Sequence, residues 1–252
     1  AAQVFNALSM GEVVEDSRHL MVAPACLRPK VLALIDRETE LARAGEPAYL
    51  GFKLNGLTDK LIIDRLIQAS QAGVKIDLVV RGICCLTGGV PGLTENITVR
   101  SIVGRYLEHA RIYIFGLGER KQVFLSSADF MTRNTTRRVE VAAPVDDPAL
   151  RAHLEAMFAD QLRDTAKGRV QQPDGSYVRA QGEPFNAQEH FCDQAYSGEW
   201  ALEQPRPEPK PAVKPAPAPE KRPVAKGAPK KPPAAVRKTR RGLLGRIIGK
   251  NK

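Results

Sequence analysis

A short apolar run, Leu78-Val79-Val80, that ends at Arg81 limits the possible folds of this chain more than any other feature. Residues 74–77 before it alternate between apolar and charged side chains, so the whole segment predicts a central strand buried on both faces. A second strand is predicted at 47–54, and the amphipathic pattern between the two strands indicates a helix. This strand–helix–strand order favours a parallel crossover in an open α/β sheet. Arg81 then lies just past the carboxyl end of its strand, where sheets of this type bind ligands.

Further strands and helices are predicted on both sides of this unit. The strands are at 19–24, 110–115, 122–126 and 138–145. The helices are at 29–44, from Asn96 or Thr98 to His109, and at 148–165. A short glycine-containing turn joins the strands 110–115 and 122–126, so we expect these two to form a hairpin.

Composition divides the chain into four segments. Residues 1–18 are predicted to be a connection from a preceding domain, because no helix or strand of useful length is predicted before Glu12. The globular domain is placed at 19–200. Residues 201–236 are rich in Pro, Ala and Lys, cannot bury a core, and are predicted to be a disordered linker. Residues 237–252 are predicted to be a basic amphipathic segment, with its apolar residues on one side of a helix.

The net charge of +10 is concentrated in the tail. Residues 203–252 carry 15 Lys or Arg and 3 Glu, a net of +12, which leaves −2 for residues 1–202. The globular part is therefore close to neutral, and the sequence implies a local anion-binding surface there rather than a general one. The tail suits a polyanion or an anionic membrane surface.

The four cysteines, Cys26, Cys84, Cys85 and Cys192, fit neither a zinc site nor a disulfide framework. Cys84 and Cys85 are adjacent in an apolar run, so we expect them on opposite faces of a strand, as small buried side chains in a reducing compartment. The sequence shows no signal peptide and no apolar run of 18 or more residues. These features predict a cytoplasmic protein, with the tail as a means of peripheral membrane attachment.

His109 and Arg81 are the two strongest candidates for a functional site. His109 is predicted at the end of a helix, where it either interacts with the helix dipole or serves as a phosphate ligand or proton donor. Arg81, at the end of a buried strand, needs a partner, which is either a phosphate or a structural carboxylate. Weaker candidates for phosphate binding are Ser126, Ser127, Arg133 and Asn134. The sequence has no His-Glu-x-x-His, no Gly-x-Ser-x-Gly and no pair of metal-binding carboxylates, so no metal ligand is predicted.

Two short motifs resemble the half-site of phospholipase-D-like proteins. His109-Ala110-Arg111 is followed, after a strand and a turn, by Ser126-Ser127-Ala128-Asp129. In that family, His-x-Lys precedes a Gly/Ser-Ser-x-Asn element. Here Arg111 replaces the lysine, and Asp129 stands where asparagine is usual. The resemblance implies an α/β sandwich with a mixed central sheet flanked by helices.

Longer segments carry a second resemblance. They are residues 53–59, 69–86, 100–109 and 126–134, followed by Arg138-Val139-Glu140-Val141. These segments resemble the last, carboxy-terminal domain of bacterial polyphosphate kinase, which is itself phospholipase-D-like. The resemblance runs from about residue 5 to residue 179 and does not cover the tail. Phe130 stands where tryptophan is common in the family.

The resemblance implies an activity and a division of labour. The family transfers the terminal phosphate of ATP reversibly to polyphosphate, through a phosphohistidine, in a tunnel between two phospholipase-D-like domains. Arg81 and His109 fall on the ATP-binding arginine and histidine of the last domain. The nucleophilic histidine and the magnesium-binding arginines belong to the preceding domain, which nothing in this chain resembles. ATP is therefore the expected substrate, and Mg²⁺ is expected only for the complete enzyme.

The sequence thus predicts the nucleotide- and polyphosphate-binding part of a polyphosphate kinase, with catalytic work for His109. The expected partners are ATP or ADP, polyphosphate, a preceding kinase domain in cis or in trans, and a second copy of the chain. One alternative is a non-catalytic module that binds polyphosphate or nucleic acid. Another is a phospholipase-D-like phosphodiesterase with His109 as nucleophile, against which the missing lysine argues.

Overall fold

A computed structural model describes residues 2–12, 14, 17 and 19–198, and within these residues the chain forms nine strands and six α-helices. The strands are β1 (Met21–Ala23), β2 (Tyr49–Leu54), β3 (Lys75–Val80), β4 (Ile97–Ile102), β5 (Arg111–Phe115), β6 (Gln122–Ser126), β7 (Glu140–Pro144), β8 (Gly168–Gln171) and β9 (Tyr177–Arg179). The helices are α1 (Ala2–Ser9), α2 (Leu27–Arg43), α3 (Lys60–Gln71), α4 (Thr132–Thr136), α5 (Pro148–Arg163) and α6 (Ala187–Ser197). The linker and the basic segment predicted at 201–236 and 237–252 lie outside the described residues.

All nine strands belong to one mixed sheet, in the order β1-β7-β6-β5-β2-β3-β4-β8-β9. Strands β2, β3 and β4 are parallel at its centre, where Leu78 lies opposite both Phe52 and Val99. Strands β5 and β6 pair antiparallel as a hairpin, and β5 also pairs antiparallel with β2. The parallel crossover, the hairpin and the mixed sheet flanked by helices are therefore confirmed.

The two long helices that follow β2 and β7 begin where carboxylates cap them. The Asp59 side chain accepts hydrogen bonds from the N–H groups of Leu61 (3.1 Å) and Ile62 (3.4 Å), at the start of α3. Asp147 does the same at the start of α5, where Pro148 occupies the first turn. Each cap satisfies N–H groups that have no partner inside the helix, and α5 starts at Pro148, the position that the sequence predicts.

The sheet has an apolar core on each face. Strand β5 shows the alternation: Tyr113 and Phe115 belong to the core formed with α2 and α3, whereas Ile112 and Ile114 pack with Phe158 of α5. The first core contains a cluster of rings around Phe52, and the centroid of the Phe130 ring lies 5.0 Å from that of Phe52. Phe130 is thus part of the core beneath the loops that follow β6.

The prediction of a helix from Asn96 or Thr98 to His109 is wrong. Residues 97–102 form β4, which pairs with β3 on one side and β8 on the other. Ile97 and Val99 are buried at alternate positions, so the period of two governs this segment. Residues 103–110 form a loop, and His109 therefore does not interact with the end of a helix.

Four other segments differ from expectation. A helix, α1, forms before Glu12, and its Val4 packs with Val22 and Cys26. Strand β8 and helix α6 were not predicted at all. Cys84 and Cys85 do not lie on a strand: the chain turns at Arg81-Gly82, Cys85 is exposed and Cys84 is half-buried. The expectation that both are buried side chains on opposite strand faces is wrong. No helix among the described residues is long and apolar enough to cross a membrane.

A candidate anion-binding site at one edge of the sheet

A cavity of about 560 Å³ lies where β2 and β3 end and β5 begins. It is lined by Asn55, Gly56, Arg81, Ile83, His109, Arg111, Ser127, Asp129, Met131, Arg133, Asn134, Arg138 and Glu140. All predicted site residues except Ser126 are among them. The Ser126 hydroxyl instead accepts a hydrogen bond from the N–H of Ala128 (3.0 Å) and shapes the turn after β6.

Arg81 reaches the cavity from the carboxyl end of β3. Its Nε donates to the side-chain oxygen of Asn55, which follows β2. The two strand ends approach so closely that a Cβ at position 82 would lie 2.6 Å from the carbonyl oxygen of Asn55, so Gly82 is needed there. Among the described residues, no carboxylate forms an ion pair with Arg81. The terminal guanidinium nitrogens are therefore left for a ligand, and the structural carboxylate considered above has not been found.

Arg111 is engaged in a different way. Its Nη2 lies 2.8 Å from Asp129 Oδ2 and its Nε lies 3.3 Å from Asp129 Oδ1, with both side chains buried. Asp129 Oδ1 also accepts hydrogen bonds from the N–H groups of Asn55 (2.6 Å) and Gly56 (3.3 Å). Burial raises the pKa of Asp129, but the Arg111 guanidinium and these two N–H groups outweigh it, and the net pKa is below its usual range.

His109 lies against this ion pair on the solvent side. Arg111 Nη1 donates to the carbonyl oxygen of His109 (2.8 Å). The same nitrogen lies 3.1 Å from His109 Nδ1, and Arg111 Nη2 lies 3.3 Å from Nε2. The imidazole is exposed, but the guanidinium behind it fixes its direction. Arg111 therefore supports His109 rather than offering a free cation to a ligand.

Glu140 of β7 organises the opposite wall. One of its carboxylate oxygens accepts from the Ser127 hydroxyl, and the other accepts from Asn134 Nδ2 (2.6 Å). Glu140 and Asn134 are buried. Glu140 and Asn55 were not predicted as site residues. The available signal for Glu140 was a carboxylate between two valines in a predicted strand.

The electrostatics of the cavity favour an anion. Four arginines and two carboxylates line it, and both carboxylates are engaged by the partners described above. Arg133 and Arg138 are exposed and form no ion pair among the described residues. With Arg81, they leave three guanidinium groups available, in line with the local anion-binding surface that the nearly neutral core implies. The described residues hold no group of three or more His, Cys, Asp or Glu that could bind a metal ion.

Comparison with known proteins gives one consistent result. The sequence model of the family described as "Polyphosphate kinase C-terminal domain 2" matches residues 20–190. The chain is 46% identical over 173 residues to a polyphosphate kinase of Pseudomonas putida, and 44% identical over 187 residues to one of Thermosynechococcus vestitus. The alignments cover 69% and 74% of this chain, but only 24% and 26% of those proteins.

A solved structure shows the same relationship. The crystal structure of polyphosphate kinase from Porphyromonas gingivalis matches this fold with a TM-score of 0.73 and 37% sequence identity. The match covers 79% of this chain and 31% of that one. The chain thus spans about a quarter of the length of the curated relatives it matches.

Proposed function

This chain belongs to the polyphosphate kinase family, and from that premise we propose that it is the part of such an enzyme that binds ATP and polyphosphate. The reaction is the reversible transfer of the terminal phosphoryl group of ATP to the end of a polyphosphate chain. The observation that carries the proposal is the cavity that Arg81, Arg133 and Arg138 line together with His109, without carboxylate partners among the described residues.

Phosphoryl transfer requires a protein to position the phosphates and neutralise their charge more than to do covalent work. We assign Arg81 to the phosphate oxygens, because its terminal nitrogens have no ion-pair partner among the described residues and can form a two-point contact. Arg133 and Arg138 extend the same positive surface along the wall formed by α4 and the start of β7. Ser127 and Asn134 act indirectly in this proposal, since both are hydrogen-bonded to Glu140.

His109 is the group closest in chemistry to the reacting phosphate. We propose that its imidazole hydrogen-bonds the transferring or leaving phosphate and serves as a proton donor. The covalent intermediate forms elsewhere: the γ-phosphoryl group leaves ADP, joins a histidine of a preceding domain, and then passes to a terminal polyphosphate oxygen. That domain would belong to the same chain or to another chain. A homo-oligomer of the complete enzyme is compatible with either case.

The residues of this site do not fit a protein-held magnesium ion. Asp129 is occupied by Arg111 and two backbone N–H groups, and Glu140 by Ser127 and Asn134. We therefore propose that Mg²⁺ enters with the nucleotide phosphates and that ligands outside this chain complete its coordination shell.

Binding measurements test the proposal directly. Titration calorimetry of the whole chain with ATP and with tripolyphosphate should show binding that weakens as salt increases, and Arg81→Ala should lose most of it. Arg65→Ala is a matched control. Arg65 of α3 forms an ion pair with Asp36 of α2 (3.4 Å), and neither residue lines the cavity. Binding of tripolyphosphate without ATP would favour the non-catalytic binding module. Binding of neither ligand would contradict the proposal.

For the tail and the cellular location, we propose a cytoplasmic protein whose residues 203–252 bind a polyanion or an anionic membrane surface. The charge of these residues, +12, supports this assignment.

A further inference from the structure

The loop of residues 103–110, which joins β4 to β5, carries His109 and turns one side chain toward the body of the fold. The side chains of this loop are exposed with the exception of Glu108, which is 18% exposed. Glu108 points inward from the position next to His109. What holds Glu108 therefore also holds the backbone of His109.

Lys53 of β2 contacts the chain on both sides of His109. Its Nζ lies 3.5 Å from Glu108 Oε2 and donates a hydrogen bond to the carbonyl oxygen of Ala110 (3.1 Å). The Lys53 side chain is only 5% exposed. Burial lowers the pKa of Lys53, and the Glu108 carboxylate opposes that effect by stabilising the ammonium. Burying a lysine ammonium costs free energy unless it finds partners. Here the partners are the carboxylate of Glu108 and the carbonyl oxygen of Ala110, on either side of His109.

Gln188 of α6 holds the same loop from another direction. Its Nε2 donates to Glu108 Oε1 (2.8 Å) and to the carbonyl oxygen of Tyr106 (2.9 Å), while its Oε1 accepts from the N–H of Tyr106 (3.0 Å). Gln188 is buried. Gln161 of α5 also donates to Glu108, through its Nε2. Both carboxylate oxygens of Glu108 are thus bonded, by side chains from β2, α5 and α6.

We propose that Lys53, Glu108 and Gln188 are positioning residues that fix His109 at the mouth of the anion-binding cavity. These three residues are called the Glu108 clamp below. The role of His109 toward phosphate rests on the proposed function, but the clamp itself is a claim about the loop. Helix α6 then has a function: it contributes the amide that ties the loop to the end of the domain.

Gly104 offers a way to open the clamp without changing any of its members. A Cβ at position 104 would lie 2.3 Å from Gln188 Oε1 and 2.8 Å from Gln188 Cδ. These atoms are at the end of a flexible side chain, so Gly104→Ala should displace the Gln188 amide rather than the backbone. Gln188→Ala removes the amide directly. In the double variant the clash no longer exists, so Gly104→Ala should add no further effect.

The experiment compares the whole chain with Gly104→Ala, Gln188→Ala and the double variant. Glu189→Ala, an exposed neighbour on α6, is the matched control. Backbone amide exchange should be about tenfold faster at Tyr106 in each single variant, since its N–H loses the hydrogen bond to Gln188 Oε1. The imidazole signals of His109, identified with His109→Gln, should shift, while those of His153 and His190 stay in place. Tripolyphosphate binding should weaken about five- to tenfold in each single variant and no more in the double one.

The outcomes separate the two claims. If the unmodified chain binds neither tripolyphosphate nor ATP, the proposed function fails, while the exchange and imidazole measurements still test the clamp. If both single variants leave the exchange rates and the His109 signals unchanged, the clamp is wrong. Additive effects in the double variant would also overturn it, because Gly104→Ala would then act by another route. If Gln188→Ala does not fold, Gly104→Ala alone decides through the same two measurements.

Discussion

Arg111 and Asp129 form a buried two-point ion pair, with Nη2 2.8 Å from Oδ2 and Nε 3.3 Å from Oδ1. These are the two positions at which the sequence departs from the phospholipase-D-like pattern of lysine and asparagine. The departures fit each other, because a guanidinium offers a fork of donors that a carboxylate accepts and an amide cannot. Because Asp129 neutralises Arg111, the positive charge that would attract an anionic ligand comes from Arg81, Arg133 and Arg138.

The first prediction concerns this pair. Asp129→Asn leaves the guanidinium of Arg111 buried without a counter-charge, and we expect it to lower the free energy of unfolding by about 3 kcal/mol. Urea denaturation monitored by circular dichroism measures the change. Asp36→Asn is the control: its pair with Arg65 is 44% exposed on both sides, so the loss should stay below about 1 kcal/mol. Equal losses in the two variants would mean that the buried pair contributes no more than a surface one.

A second prediction follows from the lowered pKa of Asp129. Its folded-state pKa lies below the ordinary value of 3.8, because Arg111 and the N–H groups of Asn55 and Gly56 stabilise the carboxylate against the effect of burial. A carboxylate with a lowered pKa stabilises the fold above its unfolded-state pKa, and this contribution is lost as the pH falls through the folded-state value. The stability difference between the unmodified chain and Asp129→Asn should therefore be constant from about pH 8 to pH 5 and shrink below about pH 4. A difference that shrinks toward alkaline pH instead would assign the effect to another group.

Local patterns predicted part of the fold well. The apolar run at Leu78-Val79-Val80 and the helix before it were enough for the parallel crossover, and the strand-end rule placed Arg81 at the edge of the sheet where the cavity lies. The segment 97–102 was misassigned because six alternating residues run directly into Val103, Tyr106 and Leu107, which are compatible with a helix. What decides for a strand is pairing on both sides: Val99 lies opposite Leu78 of β3, and Arg100 lies opposite Val170 of β8. That partner is 70 residues away, and nothing in the local sequence reports it.

The candidate site was likewise predicted only in part. Arg81 and His109 were predicted as candidates from their own surroundings and from the family resemblance, and both line the cavity. The groups that hold them were not, because each contact joins distant parts of the chain. Asn55 meets Arg81 across 26 residues, and Gln188 meets Tyr106 across 82. A glutamine in an exposed-looking amphipathic segment carries no sign that its amide will bond a loop on the far side of the sequence.

Kinetics of a complete enzyme give the third prediction. The chain can be joined to the remaining domains of the Pseudomonas putida relative, with which it shares 46% identity. Arg81→Ala should mainly raise KM for ATP, because its contact is made already in the bound state. His109→Gln should mainly lower kcat, because its hydrogen bond strengthens in the transition state. Each loss should be worth about 1.5–3 kcal/mol in kcat/KM. Unchanged kinetics in both variants would return these residues to a structural role.

The fourth prediction concerns the division of labour between domains. Because the phosphohistidine is assigned to a preceding domain, the chain alone should take up no acid-labile label from ATP carrying a radioactive γ-phosphate. The joined enzyme described above should take it up, which controls for the assay. His109→Gln in the isolated chain provides the reverse test. If the unmodified chain is labelled and His109→Gln is not, His109 is itself the nucleophile and the proposed roles are wrong.

The last prediction concerns residues 203–252, whose charge of +12 the site does not explain. Binding that rests on counterion release alone falls steeply with added salt, as expected for polyphosphate or nucleic acid. Membrane binding should keep a part that salt does not remove, since helical spacing would put Leu243, Leu244, Ile247 and Ile248 on one side, from which they could insert between lipids. Co-sedimentation of residues 203–252 with anionic vesicles and with polyphosphate, at low and high salt, separates the two. We expect salt-resistant vesicle binding that Leu243→Asp with Ile247→Asp abolishes, and no binding to either at low salt would reject a role for the tail in recognising anions.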